Sequence, residues 1–383
     1  MVLIFMQEII NIKNFGPIKD IEIKDIRPFS VFIGESGSGK STIMKVIVLF
    51  RWIYKMLNIR SYLKYANISQ LPFSFDFGQY LKNNGFSDYL KPDTDINYQR
   101  GKTTIHYRKK LGMSTIVPIE ELSLEKMNFI AEKRNLIPDI LSAKKNDKIP
   151  MSFFLEETLN DFVISSKLIK ELEIMYLGVK YLSKETNLGT KYFIKSINES
   201  DNYTINLEDS SSGTQTVVPL SVIVEFFSKY YDFKSTFNSM ILKYLSQSDN
   251  LKDFRTDLNI GEIKHKNIHI HIEEPELSLY PESQRSLINF IVKRCFVEQY
   301  KDYNMTVMLT THSPYIINHL NLLIKAYDKD KVVDGAKLVF ENLSVYQVEN
   351  GIINNLKIQN ERLINTNPLS DTINDIYDEY NQL

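Results

Sequence analysis

A glycine-rich run, Gly34-Glu35-Ser36-Gly37-Ser38-Gly39-Lys40-Ser41, follows the apolar stretch Phe29–Ile33 and precedes an apolar-rich segment, Thr42–Leu57. A strand, a G-x-x-x-x-G-K-[ST] loop and a helix in that order suit one chemistry, the cradling of a nucleotide's phosphates. Glycines let successive backbone N–H groups turn inward around an anion. Lys40 has the reach for the β- and γ-phosphates, and the Ser41 hydroxyl can hold Mg²⁺. The N-terminal dipole of the helix opening near Thr42 faces the same charge. Gly34 through Thr42 are therefore the candidate nucleotide contacts.

Two further apolar stretches end in groups able to act on a phosphate. Ile268-His269-Ile270-His271-Ile272 runs into Glu273-Glu274-Pro275-Glu276, a strand that stops at adjacent carboxylates and a proline. At the carboxyl end of a strand Glu273 can complete a Mg²⁺ shell, while Glu274 points elsewhere and can polarise an attacking water. Open α/β sheets place their ligand crevice at this edge. Val307-Met308-Leu309-Thr310-Thr311 delivers His312, followed by Ser313-Pro314, to the same edge. A neutral imidazole there can hydrogen-bond the γ-phosphate or the water. His269 and His271 alternate within their strand, face a helix layer or a neighbouring domain, and carry no assigned chemistry. A fourth run, Asp209-Ser210-Ser211-Ser212-Gly213-Thr214-Gln215, stands before a long apolar helix. Its hydroxyls, glycine and helix N-terminus make either an anion site or an ordinary serine cap. It makes sense as an anion site if it serves the nucleotide of another subunit.

The order of these four motifs resembles the heads of ABC-type ATPases, and within them the branch of SMC, RecF and the overcoming-lysogenization-defect nucleases. The resemblance covers Ile9–Leu57 and Ser210–Leu323. The opening Ile12-Lys13-Asn14-Phe15-Gly16-Pro17 also resembles that branch, where an Asn-Phe-Gly turn lies beside the nucleotide. The resemblance implies ATP and Mg²⁺ as cofactors, ATP hydrolysis as the activity, and a homodimer or higher homo-oligomer joined through ATP. Lys40 and Ser41 would bind phosphate and Mg²⁺, with Glu273 completing the metal site. Glu274 would be the general base and His312 the γ-phosphate switch. Ser211 and Gly213 would contact ATP held by the facing subunit. The chain departs from the family in reading Ser-Ser-Ser-Gly-Thr-Gln where transporters have Leu-Ser-Gly-Gly-Gln, and in Glu273 where aspartate is commoner. Gln70, Gln79 and Gln99 compete for the role of a Q-loop glutamine. Arg134, ending Phe129-Ile130-Ala131-Glu132-Lys133-Arg134, resembles an arginine near the nucleotide in the family, against a solvated charge as the plainer reading.

The elements that must hold these groups follow from the apolar pattern. Ile9–Asn14 and Ile18–Ile26 read as strands joined at Gly16-Pro17. Strands are also expected over Thr103–Arg108, Met127–Ala131, Tyr192–Ser196, Tyr203–Leu207, Asn267–Ile272, Met305–Leu309, Lys337–Phe340, Ser344–Val348 and Ile352–Leu356. Helices are expected over Phe153–Ile174, Val217–Tyr231 and on through Leu245, Pro281–Gln299, Ser313–Leu323 and Leu369–Tyr380. Between Arg51 and Gly101, aromatic-rich and without a clear period, short helices and loops are expected. The expected fold class is α/β, and the resemblance implies an ABC-type ATPase head with a mixed β-sheet, a helical signature lobe and a mixed insertion. Its expected division is an ATPase core over 1–57 and 191–360, an insertion and helical lobe over 58–190, and an acidic C-terminal helix over 361–383.

The 46 Lys plus Arg against 47 Asp plus Glu give a net charge of −1, which demands no nucleic-acid partner. The one cysteine, Cys295, excludes a disulfide framework. No stretch reaches the ~18 apolar residues of a membrane span, so a cytoplasmic protein without a membrane partner is expected. Two roles compete. One is the ATPase and sensor component of a bacterial antiviral defence system, working with a separate effector such as a nuclease or toxin. The other is a RecF-like repair or chromosome-maintenance ATPase that clamps DNA. Lys144-Lys145 and Lys264–Lys266 are the local hints of a DNA surface.

Overall fold

A computed structural model of the chain describes residues 6–66, 77–143, 150–187, 189–198, 203–246, 263, 265–298, 302–369 and 371–383. The first hairpin, β1 (Glu8–Phe15) and β2 (Ile18–Ile23), turns at Gly16. That residue has a φ of 54°, and a Cβ placed on it would stand 2.4 Å from the Tyr89 ring, so glycine is required twice over. β3 (Phe29–Ile33) is buried at every residue, as a strand covered on both faces must be. α1 (Lys40–Tyr65) starts at the phosphate loop and runs past the apolar pattern that suggested an end at Leu57. After α2 (Phe77–Asn83) come β4 (Leu90–Arg100), β5 (Thr103–Arg108) and β6 (Lys110–Met113). With β1 and β2 they form an antiparallel sheet in the order β2-β1-β4-β5-β6.

β4 overturns the expectation of loops and short helices before Gly101. Its buried face presents Thr94, Ile96, Tyr98 and Arg100, so a threonine and an arginine break the apolar alternation that marks a strand.

β7 (Ser123–Ile130) and α3 (Ile137–Ser142) lead to α4 (Phe153–Leu168), which is capped by Ser152. The helix expected to reach Ile174 stops six residues earlier. Glu171–Ile174 is instead β8, paired antiparallel with β9 (Val179–Thr186). β10 (Gly189–Ser196) and β11 (Thr204–Asn206) complete that second antiparallel sheet, and the turn expected at 199–202 lies outside the described residues. α5 (Ser212–Lys229) and α6 (Phe233–Ser246) precede β12 (His265–Glu273). α7 (Pro281–Val292), β13 (Asn304–Thr311) and α8 (Pro314–Asp328) follow. The strand expected over Lys337–Phe340 does not form; buried Leu338 and Phe340 belong to an irregular segment that closes in a 3₁₀ turn. β14 (Leu343–Glu349), β15 (Ile352–Asn355) and α9 (Asp371–Gln382) end the chain.

Among the described residues, a six-stranded mixed sheet runs β15-β14-β3-β13-β12-β7, with β15 antiparallel and the others parallel. Val31 stands opposite both Leu309 and Val345, and Ile270 opposite Val307 and Asn128. Alternate residues of β3 feed two cores. Phe29, Val31 and Ile33 face the cluster containing α5, α7 and α8 residues, and Phe32 faces the cluster beneath the β1 sheet. β7 brings residues 123–130 into this central sheet, so a boundary placing all of 58–190 in an insertion leaves out one core strand and cuts α1.

A buried polar network joins α1 to both sheets. Arg51 pairs with both carboxylate oxygens of Glu8 at 2.7 and 2.8 Å, and its Nη1 lies 2.9 Å from His271 Nε2. His269 Nε2 lies 2.6 Å from Glu125, which also pairs with Arg100 at 3.2 Å. Both histidines serve this network. Burial, with the Arg51 charge, lowers the His269 pKa to about 4 and puts that of His271 well below its ordinary value.

Candidate nucleotide site

The phosphate loop leaves β3 with Gly34 at φ 155°, Gly37 at 78° and Gly39 at 109°. A Cβ on Gly34 would stand 2.2 Å from the carbonyl oxygen of Val348, so a side chain there would force β3 and β14 apart. Gly39 is the N-cap of α1 and its carbonyl accepts the Ile43 N–H at 2.9 Å. Lys40 is buried and folds back over its own loop, donating to the Gly34 and Glu35 carbonyls at 2.9 and 2.7 Å. Burial lowers its pKa, opposed by the carboxylates of Glu274, Glu276 and Glu35. The Ser38 hydroxyl is buried without a hydrogen-bond partner among the described residues. Lysine contacts exchangeable for anionic oxygens, and this hydroxyl, fit a bound phosphate. A cavity of about 780 Å³ opens beside the loop, lined by Gly34 through Ser38, His312, Pro17 and the Gln347–Gly351 turn.

β12 ends beside it. Glu273 is buried, with one carboxylate oxygen 2.7 Å from Lys45 Nζ, and that ammonium also sits over the Phe154 ring. The Ser41 hydroxyl and a carboxylate are the hard oxygen donors that Mg²⁺ takes, so the donor types fit the ion, which would have to compete with Lys45 for Glu273. Glu274 adopts a left-handed conformation, φ 44°, and donates its N–H to the Thr310 carbonyl at 2.9 Å. This twist aims its side chain at β13, where Oε1 lies 3.3 Å from His312 Nε2. Glu276 accepts the His312 backbone N–H at 2.6 Å. Burial raises the Glu276 pKa, opposed by that N–H. Glu276 was legible only as part of the Glu-Glu-Pro-Glu run, without a role.

Arg134 is fully buried rather than solvated. It donates to four carbonyls: Ala131 at 3.1 Å, Thr216 at 3.2 Å, Glu273 at 2.7 Å and Glu274 at 2.6 Å. Burial lowers its pKa to about 10, opposed by Glu276, Glu274, Glu273 and Glu132.

The serine-glycine run begins α5. Ser211 is its N-cap and its Oγ accepts the Thr214 N–H at 3.3 Å, the serine cap that the sequence allowed. Gly213 packs against the turn after β12, where a Cβ would stand 2.9 Å from the Ser278 carbonyl oxygen. Gln79 lies in α2, and the Gln99 amide in β4 donates to the Gly101 carbonyl; neither lines the cavity, and Gln70 is outside the described residues. Asn14 turns its amide to Asp93 at 2.7 Å, leaving Pro17 as the part of that turn on the cavity. Lys266 pairs with Asp302, and Lys144, Lys145 and Lys264 lie outside the described residues. Cys295 is buried and unpaired as a thiol.

A phosphate loop, an acidic strand end and a histidine strand end share one edge of a mixed sheet, with a serine-glycine loop opening the helix packed beside them, an arrangement suited to an ATPase domain. The chain belongs to the AAA ATPase domain family, whose match spans residues 54–317, more than half of the sequence. The matched region starts within α1, just beyond the phosphate loop, and includes the Glu273–Glu276 and His312 segments. The chain is similar to the solved head of an SMC protein bound to the C-winged helix domain of ScpA, at 12% identity and a TM-score of 0.38, over 94% of this chain and 99% of that one. It is also similar to the dimeric structure of a bacterial ABC transporter cassette, at 11% identity and a TM-score of 0.31, over 91% and 99%. The post-hydrolysis state of the same cassette, bound to ADP and Pi, gives 12%, 0.31, 91% and 99%. No curated protein matches the chain. No helix among the described residues is long and apolar enough to cross a membrane.

Proposed function

We propose that this chain is an ATP-driven switch whose heads pair head to tail, each ATP held between Lys40 of one protomer and Ser211 and Gly213 of its mate. The observation that carries the reading is the convergence of Lys40, Glu274, Glu276 and His312 on one edge, with Glu274 and His312 3.3 Å apart. Gly34 through Thr42 enclose the phosphates. Ser41 and Glu273 would hold Mg²⁺, which would supply charge neutralisation on the phosphates. Glu274 orients and deprotonates the water. His312, whose ring meets Glu274, reports the γ-phosphate to that base. Loss of the γ-phosphate removes the contacts that favour the paired state, and the heads separate.

In the cell, this switch serves as the ATPase and sensor of a cytoplasmic antiviral defence system, with a nuclease or toxin supplied as a separate protein. The support is the resemblance of the motif order to stand-alone heads of this branch, and β14 and β15, which follow His312, belong to the head's own sheet. Ser211→Arg tests the shared site. It is expected to leave single-protomer ATP binding intact while blocking ATP-driven pairing and turnover, and normal turnover in that variant contradicts a site made by two protomers.

A further inference from the structure

We propose that Arg134 couples the two ATP sites of the paired heads by tying each protomer's serine-glycine loop to its own Glu274; the inference rests on the shared-site reading above. The guanidinium spans two elements. On one side it holds the carbonyls of Glu273 and Glu274, the residues of the acidic turn, at 2.7 and 2.6 Å. On the other it holds Thr216 O, in the first turn of α5, at 3.2 Å. A second contact joins the same pair of elements without Arg134: Gly213 packs on the Ser278 carbonyl, in the turn that continues from Glu274. Within that turn the Leu277 N–H donates to Glu274 O at 3.2 Å and the Leu279 N–H to Glu276 O at 3.0 Å. The Glu274–Leu279 segment is therefore a closed unit, and α5 rests on it at two points.

Ser211 is exposed at the tip of this assembly, one turn of helix before Thr216. In a head-to-tail pair, one protomer's Ser211 touches the ATP bound by its mate, whereas its Glu274 faces its own ATP. Force on the Ser211 loop at one site passes through Thr216, Arg134 and the Glu274 carbonyl to the base at the other. Four carbonyls in different directions need a planar fork with several donors, which a lysine ammonium does not provide. Arg134 touches neither nucleotide in this arrangement and acts as a positioning residue.

Two measurements test it. The first is ATP hydrolysis against ATP concentration for wild type and Arg134→Lys, with ATP affinity and ATP-driven pairing measured on the same samples. Wild type is expected to show a Hill coefficient above 1. Arg134→Lys is expected to bind ATP and pair as wild type does, while its turnover number falls at least tenfold and its Hill coefficient falls below that of wild type. Unchanged turnover and cooperativity in a well-folded Arg134→Lys overturn the proposal, as does a turnover loss matched by equal losses of ATP affinity and pairing. The second keeps Arg134 and so survives a variant that does not fold: mixed pairs of one wild-type and one Lys40→Ala protomer. The one intact site is expected to turn over well below half the wild-type rate, because its base belongs to the protomer whose serine loop grips nothing; half the wild-type rate means independent sites and overturns the coupling. Wild type that never pairs with ATP contradicts the shared-site reading itself, whereas normal pairing with independent sites contradicts Arg134 coupling alone.

Discussion

The carboxylate of Glu276 accepts the backbone N–H of His312 at 2.6 Å, tying the turn after β12 to the end of β13. The bond sets the spacing of two strand ends whose side chains, Glu274 and His312, meet 3.3 Å apart. It makes Glu276 a positioning group for both. Glu276→Ala is expected to lower the turnover number about tenfold, the worth of one strong hydrogen bond, with ATP affinity held. Glu276→Gln keeps an acceptor oxygen and is expected to recover most of that loss. Steady-state kinetics with an ATP titration check both; equal losses in the two variants contradict a role through the His312 N–H.

On the proposed reading, Lys45 and a Mg²⁺ ion compete for Glu273. The ammonium sits 2.7 Å from the carboxylate, in a site only 2% exposed on the Glu273 side chain. Replacing it with an uncharged chain of similar length removes the competing cation. Lys45→Met is therefore expected to lower the Mg²⁺ concentration for half-maximal hydrolysis several-fold, and also to lower the melting temperature without Mg²⁺, since a buried carboxylate is left unpaired. Magnesium titrations of activity and of melting temperature read the two effects. An unchanged Mg²⁺ requirement places the ion away from Glu273.

How far the sequence exposed this architecture differs from one element to the next. β3, β5, β12, β13 and the helices after the phosphate loop and His312 were legible because their apolar residues are continuous or periodic. β4 was not, since Arg100 and Thr94 take core-facing positions whose partners, such as Glu125 for Arg100, come from distant chain. The same limit hid Arg134. Its four acceptors are backbone carbonyls from three separate segments, and nothing local to Glu132-Lys133-Arg134 marks the side chain as buried. The strand ends carrying Glu273, Glu274 and His312 could be placed on one edge from sequence, but the left-handed Glu274 that turns the carboxylate toward the histidine could not.

His269 gives the fold a pH dependence of definite sign. Burial first, then Arg51, brings its pKa to about 4, below the ~6.5 of an unfolded histidine. The folded protein keeps the ring neutral while the unfolded chain takes up a proton, so this contribution is complete above about pH 6.5 and is lost progressively as pH falls toward about 4. His271, shifted the same way, adds to it. His269 contributes a slope of about 1.4 kcal/mol per pH unit in that window. Denaturant unfolding across it is expected to show a shallower slope in His269→Asn than in wild type, from a lower starting stability. Parallel slopes contradict a neutral buried His269.

In the proposed mechanism one nucleotide bridges two protomers, and Glu274→Gln isolates that step, because the amide removes the proposed base while leaving the phosphate loop intact. The direct measurement is the solution mass of this variant by light scattering, with and without ATP and Mg²⁺. A shift from the protomer mass to twice that value on adding ATP, with hydrolysis abolished, is the predicted result. A variant that stays at the protomer mass with ATP bound, or that hydrolyses ATP at the wild-type rate, contradicts it.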